Sequence, residues 1–305
     1  MKRLAWAVLV GVGGCGSEPS PFVQGDASGV QDTAEEVSDG AVEDAPGDRP
    51  VVPVRDTGPG LDQTVVYAHS DTVLYSVDPR SLAVRMVGTF SFLPGDMNQH
   101  GMTDLAVDAE GRITGVTRDA LYRIDDRTAR CTLITALDRA LTGSDAFVGL
   151  TYLPAGTLDP VNEALVGGTT GTSGGTLWRI DPATGRSTML GRLRAGGMSY
   201  NLSGDLVSVL GAGTYVTLRR LNATSTDSDL LATVDVRTGE LRVLGATGFD
   251  RIFGLAYWRA TLYGFTREGE FLTLDARTGR GMRASMPAMQ FSGAGVTTLA
   301  PTAPP

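Results

Sequence analysis

One short pattern recurs five times and limits what this chain can fold into. Residues 177–185 read LWRIDPATG, and variants return at 74–81 (LYSVDPRS), 121–129 (LYRIDDRTA), 232–239 (ATVDVRTG) and 272–279 (LTLDARTG). Their aspartates, Asp78, Asp125, Asp181, Asp235 and Asp275, are spaced by 47, 56, 54 and 40 residues. Self-similarity at such a period marks stacked units, none of which can bury its apolar face alone. The clearest unit, 252–285, alternates apolar and polar residues in four runs: FGLAYW, TLYGFT, EFLTLD and GRGMRAS. Short turn sequences separate these runs, as four antiparallel strands of one propeller blade require.

The other units follow the same template. Residues 103–137 supply TDLAVD, RITGVT, ALYRID and CTLITAL, and residues 148–193 supply VGLTYL, EALVGGT, TLWRID and STMLGRL. Residues 197–244 supply GMSYNL, DLVSVL, LLATVD and LRVLG, which leaves 211–229 as a long loop between the second and third strands. The fifth unit is split. Residues 65–87 carry three strands with no first strand before them, and residues 291–299 (FSGAGVTTL) carry a first strand with nothing after it. Joined, the two ends make one blade, and a closed ring hides the edges that open blades would expose. The predicted fold is all-β: a five-bladed β-propeller of four-stranded antiparallel blades, closed by the C-terminal strand completing the first blade.

Charge separates the domains. The formal net charge is −8, but residues 16–62 hold eleven acids against Arg49 and Arg55, so the part beyond is nearly neutral. A nearly neutral fold has no basic field for nucleic acid, and no nucleic-acid partner is expected. Residues 1–14 have a positive start (Lys2, Arg3) and an apolar run too short to span a bilayer, followed by small residues and Cys15. That layout is a secretory signal. Residues 15–62, rich in Gly, Pro, Ser, Asp and Glu, cannot bury enough apolar area to offset ordering and read as an acidic disordered tether. The propeller spans 63–300, and 301–305 form a proline-containing tail.

Val12-Gly13-Gly14-Cys15 resembles the lipobox of a bacterial lipoprotein signal. The resemblance implies that Cys15 becomes the lipidated first residue, anchoring the chain to a membrane of the cell envelope, the outer membrane first, with the propeller periplasmic or surface-exposed. The blades resemble propeller repeats of the NHL and SMP-30 type, in which a G-L-A strand precedes L-Y-x-x and then L-Y-x-I-D-x-x-T-G. That resemblance implies the fold; its families include both protein binders and lactonases.

The recurring Asp ends each third strand before a tight turn, where a carboxylate accepts backbone N–H groups, so its expected role is structural. GTSGG at 171–175 matches the spelling of a nucleophile elbow but lies between two strands rather than between strand and helix, so it reads as a loop. Cys131 is expected to pack as a small apolar residue, without a disulfide. In a propeller, the loops between second and third strands and between blades share one end of the central channel. Here they collect His69, Asn98, His100, Arg118, Asp145 and Arg267 around Asp104. Asp104 stands alone at its repeat position, where the other units read Gly149, Gly197, Gly254 and Gly293. It is the candidate ligand for a divalent cation or a polar molecule. Within the long loop of the fourth unit, Tyr215, Arg219 and Arg220 are candidate partner contacts, since Tyr and Arg are favoured at interfaces.

Two functions stay open. One is a lipid-anchored envelope propeller acting without catalysis as a protein- or glycan-binding scaffold. The other is a metal-dependent hydrolase or lactonase of SMP-30-like type, its site at the channel mouth with Asp104 and His100. The anchor is testable first: Cys15→Ser should abolish incorporation of labelled palmitate and move the chain out of the membrane fraction. Unchanged labelling would remove the lipoprotein reading.

Overall fold

The computed structural model describes residues 64–92, 101–138, 146–224 and 227–304. Residues 1–62, on which the signal, lipidation and tether expectations fall, lie outside the described residues. Among the described residues there are strands and turns and no helix. The chain runs through β1 (Val66–His69), β2 (Val73–Asp78), β3 (Ala83–Thr89) and a short β4 (Ser91–Phe92). Next come β5 (Asp104–Val107), β6 (Ile113–Val116), β7 (Ala120–Ile124) and β8 (Arg130–Ala136). The third group is β9 (Phe147–Leu153), β10 (Ala164–Thr169), β11 (Thr176–Ile180) and β12 (Ser187–Arg192). The fourth is β13 (Arg194–Ala195), β14 (Met198–Val209), β15 (Gly213–Arg220), β16 (Leu230–Val234) and β17 (Leu241–Ala246). The last is β18 (Ile252–Trp258), β19 (Thr261–Thr266), β20 (Phe271–Leu274), β21 (Gly281–Ser285) and β22 (Gly293–Gly295).

These strands form five separate sheets, the blades of a five-bladed β-propeller. Blade 1 has the order β22-β1-β2-β3, so its innermost strand comes from the far end of the chain, as the split repeat predicts. Tyr67, Ala68 and His69 pair with Gly295, Ala294 and Gly293. Blades 2 and 4 each gain a fifth strand: β4 pairs in parallel with the outer β8, and β13 pairs with the inner β14.

The repeated turn sequence earns its recurrence through contacts between blades. Asp181 accepts the Ala183 N–H at 2.9 Å and the Thr184 hydroxyl at 2.7 Å, while the Gly185 N–H donates to the Asp181 carbonyl at 2.8 Å. The same bond closes the turn at Leu82, Ala129, Gly239 and Gly279, all with left-handed φ between 57 and 76°. A Cβ added to Gly185 would lie 1.9 Å from the Ala136 carbonyl of the preceding blade. Conversely, a Cβ on Gly191 or Gly245 would lie 2.0 or 2.1 Å from the Thr238 or Thr278 carbonyl of the next turn. Backbone meets backbone at these three glycines, where a Cβ has no space; Leu82 and Ala129 adopt the left-handed conformation without glycine.

The C-terminal segment shuts one end of the channel. Thr297 bridges to Val107 of blade 2, the Thr298 hydroxyl donates to Glu163 of blade 3, the Leu210 N–H of blade 4 donates to the Thr298 carbonyl, and the Arg259 N–H of blade 5 donates to the Pro301 carbonyl. Thr64 and Val65, where the described chain begins, lie at this same end beside Val77 and Asp78. We term it the turn end and the opposite one the loop end.

Blade 4 departs from the expectation. GMSYNL and DLVSVL are not two strands but the two halves of β14, and 211–229 is not one long loop, because it contains β15. The pairing slips between Leu202 and Leu206, a bulge at Ser203-Gly204 where the sequence suggests a turn. Tyr215 therefore lies near the turn end, stacked on Tyr257 at 6.2 Å, while Arg219 and Arg220 lie at the other end of β15.

The seams give a direct test. Gly185→Ala should lower stability by about 2 kcal/mol or more, through left-handed strain and the clash with Ala136. Asp181→Ala should cost only about 1 kcal/mol for its lost hydrogen bonds. Urea midpoints rank the two; equal costs would mean that the seam does not constrain the turn.

Candidate functional site

The inner strands converge on the channel axis, and one residue per blade faces it at the loop end. Four of these precede a leucine and one precedes an alanine: Asp104-Leu105, Gly149-Leu150, Asp205-Leu206, Gly254-Leu255 and Gly293-Ala294. Leu105, Leu150 and Leu255 each lie opposite a glycine of the second strand, and the Asp205 carboxylate takes the Leu255 N–H, which sets blade 4 at the same level. Asp104 is thus not singular, and Gly197 is not its counterpart. Asp205 is, once blade 4 is read in its true register. The repeated Asp-Leu was visible in the sequence, but the assumed turn at Ser203-Gly204 moved Asp205 into the second strand.

Both acids are fully buried, with 0% exposure. Each reaches the same backbone group one blade on: Asp104 Oδ2 accepts the Leu150 N–H at 2.5 Å, and Asp205 Oδ2 accepts the Leu255 N–H at 2.5 Å. Asp205 Oδ1 also accepts the Leu206 N–H. Burial raises the pKa of Asp104 well above the usual carboxylate range, and the charge of Asp205 raises it further. Burial likewise raises Asp205, whose hydrogen bond with Asp104 favours its ionised form. Burial disfavours the charged form of both carboxyls, and the charge of Asp205 disfavours ionisation of Asp104 further.

His69, on β1, completes the group. Its Nδ1–H donates to the Ser70 carbonyl at 2.8 Å, which leaves the lone pair on Nε2, 3.5 Å from Asp104 Oδ1. Burial pushes the imidazole down to about 4, so it is neutral at physiological pH. A Cβ on Gly293 would lie 2.1 Å from Asp104 Oδ1 and 2.3 Å from His69 Nε2, so glycine at 293 is what makes room for the pair.

The remaining candidates divide. Arg267 forms a bidentate pair with Asp71 at 2.9 and 3.3 Å and donates to the Ser292 hydroxyl at 2.7 Å, clasping blades 5 and 1 across the ring closure. Arg267 holds the Asp71 carboxyl below its usual range. Arg118 stands half-buried on the turn between β6 and β7. Asn98, His100 and Asp145 lie outside the described residues. Arg219 donates to the Thr224 carbonyl at 2.7 Å, and its Nε lies 3.9 Å from the buried Asp229. Asp229, which sequence reasoning passed over, accepts the Ser203 hydroxyl and the Ile252 N–H and is raised to about 6 by burial. Cys131 is buried on β8, as expected, and burial pushes its thiol up to about 12.

For a divalent cation, the described residues bring one acidic trio together, Asp108, Glu110 and Glu163, at the turn end. Arg112 engages the first two at 2.7 and 2.6 Å, and Glu163 accepts the Ala109 N–H and the Thr298 hydroxyl. These bonds account for the trio as part of the turn-end closure.

No protein-family model matches the sequence, and no curated protein matches it. Similar solved structures include a protein of unknown function from Bacteroides caccae, with 10% identity, 75% of this chain and 77% of that one covered, and a TM-score of 0.41. The PQQ-bound aldose sugar dehydrogenase of Streptomyces coelicolor shares 16% identity over 58% of this chain and 60% of its own, with a TM-score of 0.40. The Dos1 propeller shares 12% identity over 74% and 57%, with a TM-score of 0.39. The chain thus spans about three fifths of the length of the latter two. Likeness at this level says nothing of what the chain binds.

The raised Asp104 carboxyl sets a pH dependence. A carboxyl raised on folding contributes stability that is complete below its unfolded pKa near 3.8 and is lost as pH rises through its folded value. His69, lowered on folding, works oppositely: its contribution is complete above 6.5 and is lost as pH falls toward about 4. Asp104→Asn keeps an acceptor for Leu150 without the charge. Above pH 6.5, where the His69 contribution is complete, the wild-type melting temperature should therefore fall with rising pH relative to that of Asp104→Asn. A constant difference would mean that burial does not raise the Asp104 carboxyl.

Proposed function

We propose that this chain is a non-catalytic binding module of the cell envelope, held to a membrane through a lipid on Cys15 and presenting its loop end to a protein or glycan. One observation carries the reading: blade 4 builds a raised tongue at the loop end. β14 begins seven residues before Asp205, whereas β5 begins at Asp104, and β9 and β18 begin two residues before Gly149 and Gly254. The extra length pairs with β13 on one side and with the end of β15 on the other. Arg194, Met198 (61% exposed), Arg220 and Leu221 stand exposed along it. An ordered, hydrogen-bonded projection with apolar and arginine side chains outward suits recognition.

The hydrolase reading would need Asp104 open to a substrate, and its carboxyl is enclosed, with one oxygen on the Leu150 N–H.

Cell envelopes stripped of lipid by detergent separate binding by the propeller from binding by the anchor. The wild-type chain should co-sediment with them, with or without EDTA, and Met198→Glu/Arg220→Glu should reduce the bound fraction at least fivefold. Loss of sedimentation on chelation, or a double variant that sediments like wild type, would count against the reading.

A further inference from the structure

Cavities of one kind repeat beside the outer turns of blades 1, 2, 3 and 5, each including the turn aspartate or its neighbours. One cavity breaks that repeat. It lies at the loop end of blade 3, has a volume of ≈ 210 Å³, and is lined by residues 169–174 with Thr176, Trp178 and Arg192. This is the glycine-rich GTSGG loop, and the structure gives it a built shape. The Gly171 N–H donates to Asn201 Oδ1 at 2.9 Å, and the Gly175 N–H donates to the Tyr200 carbonyl at 2.8 Å, so the loop is fastened to the blade 4 tongue. Gly174 has φ of 107°, and a Cβ there would meet Ser199 at 2.9 Å.

The wall chemistry is selective. The Trp178 Nε1–H donates to Thr176 Oγ1 at 2.6 Å, and Thr176 Oγ1 bonds Thr169 Oγ1 at 2.7 Å, which fixes the orientation of the indole. Its polar edge is committed, so its contribution to the cavity is apolar surface. The lining also offers the exposed hydroxyls of Thr172 and Ser173. Arg192 is the one ionisable residue in the lining, is exposed, and makes no ion pair among the described residues. An aromatic wall, hydroxyls and an arginine without an ion pair among the described residues match a ring with an apolar C–H face, a hydroxylated rim and a carboxylate.

We propose that this cavity binds an acidic sugar residue of the uronate class, its C–H face on Trp178, its hydroxyls on Thr172 and Ser173, and its carboxylate on Arg192. The proposal rests on the binding-module reading and names its ligand class.

Titration of the full-length chain with trigalacturonate, maltotriose and sodium sulfate, followed by tryptophan emission and calorimetry, tests it. Trp258 is buried, and Trp178→Phe identifies the responding residue. Trigalacturonate should bind saturably and at least tenfold more tightly than maltotriose. Trp178→Ala should weaken both saccharides at least tenfold, and Arg192→Gln should abolish the preference for the uronate without moving the melting temperature. Sulfate competing as tightly as the uronate would reduce the cavity to an anion site and overturn the proposal, as would no binding of either saccharide. If neither saccharide binds while the chain still sediments with stripped envelopes, this inference fails alone. If trigalacturonate binds and its reducing ends increase, the sugar site stands and the non-catalytic reading falls.

Discussion

Everything in this ring depends on how closely five inner strands can approach one axis. At the innermost level three blades present only a hydrogen, at Gly149, Gly254 and Gly293, and there is no space for more. A Cβ on Gly254 would meet the Ala294 backbone N at 2.9 Å, and one on Gly149 would meet the Gly204 carbonyl at the same distance. Two side chains fit among those glycines, Asp104 and Asp205, and their oxygens take N–H groups of the neighbouring blades. The ring is thereby cross-linked where its curvature is tightest. Asp104 Oδ1 and His69 Nε2, 3.5 Å apart, have no hydrogen-bond partner among the described residues and carry a desolvation penalty.

The outer rim solves a different problem with the same residue type. Outer strands are edges, and here the closing turn of each later blade lies against the outer strand of the one before it, glycine to carbonyl. The repeated Asp does not reach a ligand; it shapes the turn so that its fifth residue is left-handed and its backbone can enter the seam. That is why the motif survives in all five blades while the loop end varies.

This division explains what the sequence made legible. The turn motif is local: its Asp, Thr and Gly bond within five residues, so a reader can place every third strand and hence count blades. Ring closure was legible because an orphan first strand at 291–299 and a blade lacking one at 65–87 can only complete each other. Blade 4 was not, because Ser-Gly between two apolar runs signals a turn and a bulge equally. Only pairing decides, and the pairing lies with β15, whose residues look like loop because Arg219 and Arg220 interrupt the alternation. With the register lost, Asp205 was lost too, and the axial pair was read as a single acid. The distinction between Tyr215 and the two arginines has the same origin: sequence neighbours on one strand end up near opposite ends of the ring.

The position of the two acids says something that stability alone does not. Replacing both by glycine would remove two buried ionisable groups, and burying such groups is costly. What the acids contribute is discrimination. Asp104 finds its donor on blade 3 and Asp205 on blade 5, so these two bonds form only when blade 3 stands next to blade 2 and blade 5 next to blade 4. A ring with a slipped blade or an open seam would strand a carboxyl without its donor, a penalty of about 3–5 kcal/mol for a broken buried pair. Five near-identical units could otherwise dock in more than one sequence, and the two residues that break their likeness are the ones placed to forbid it.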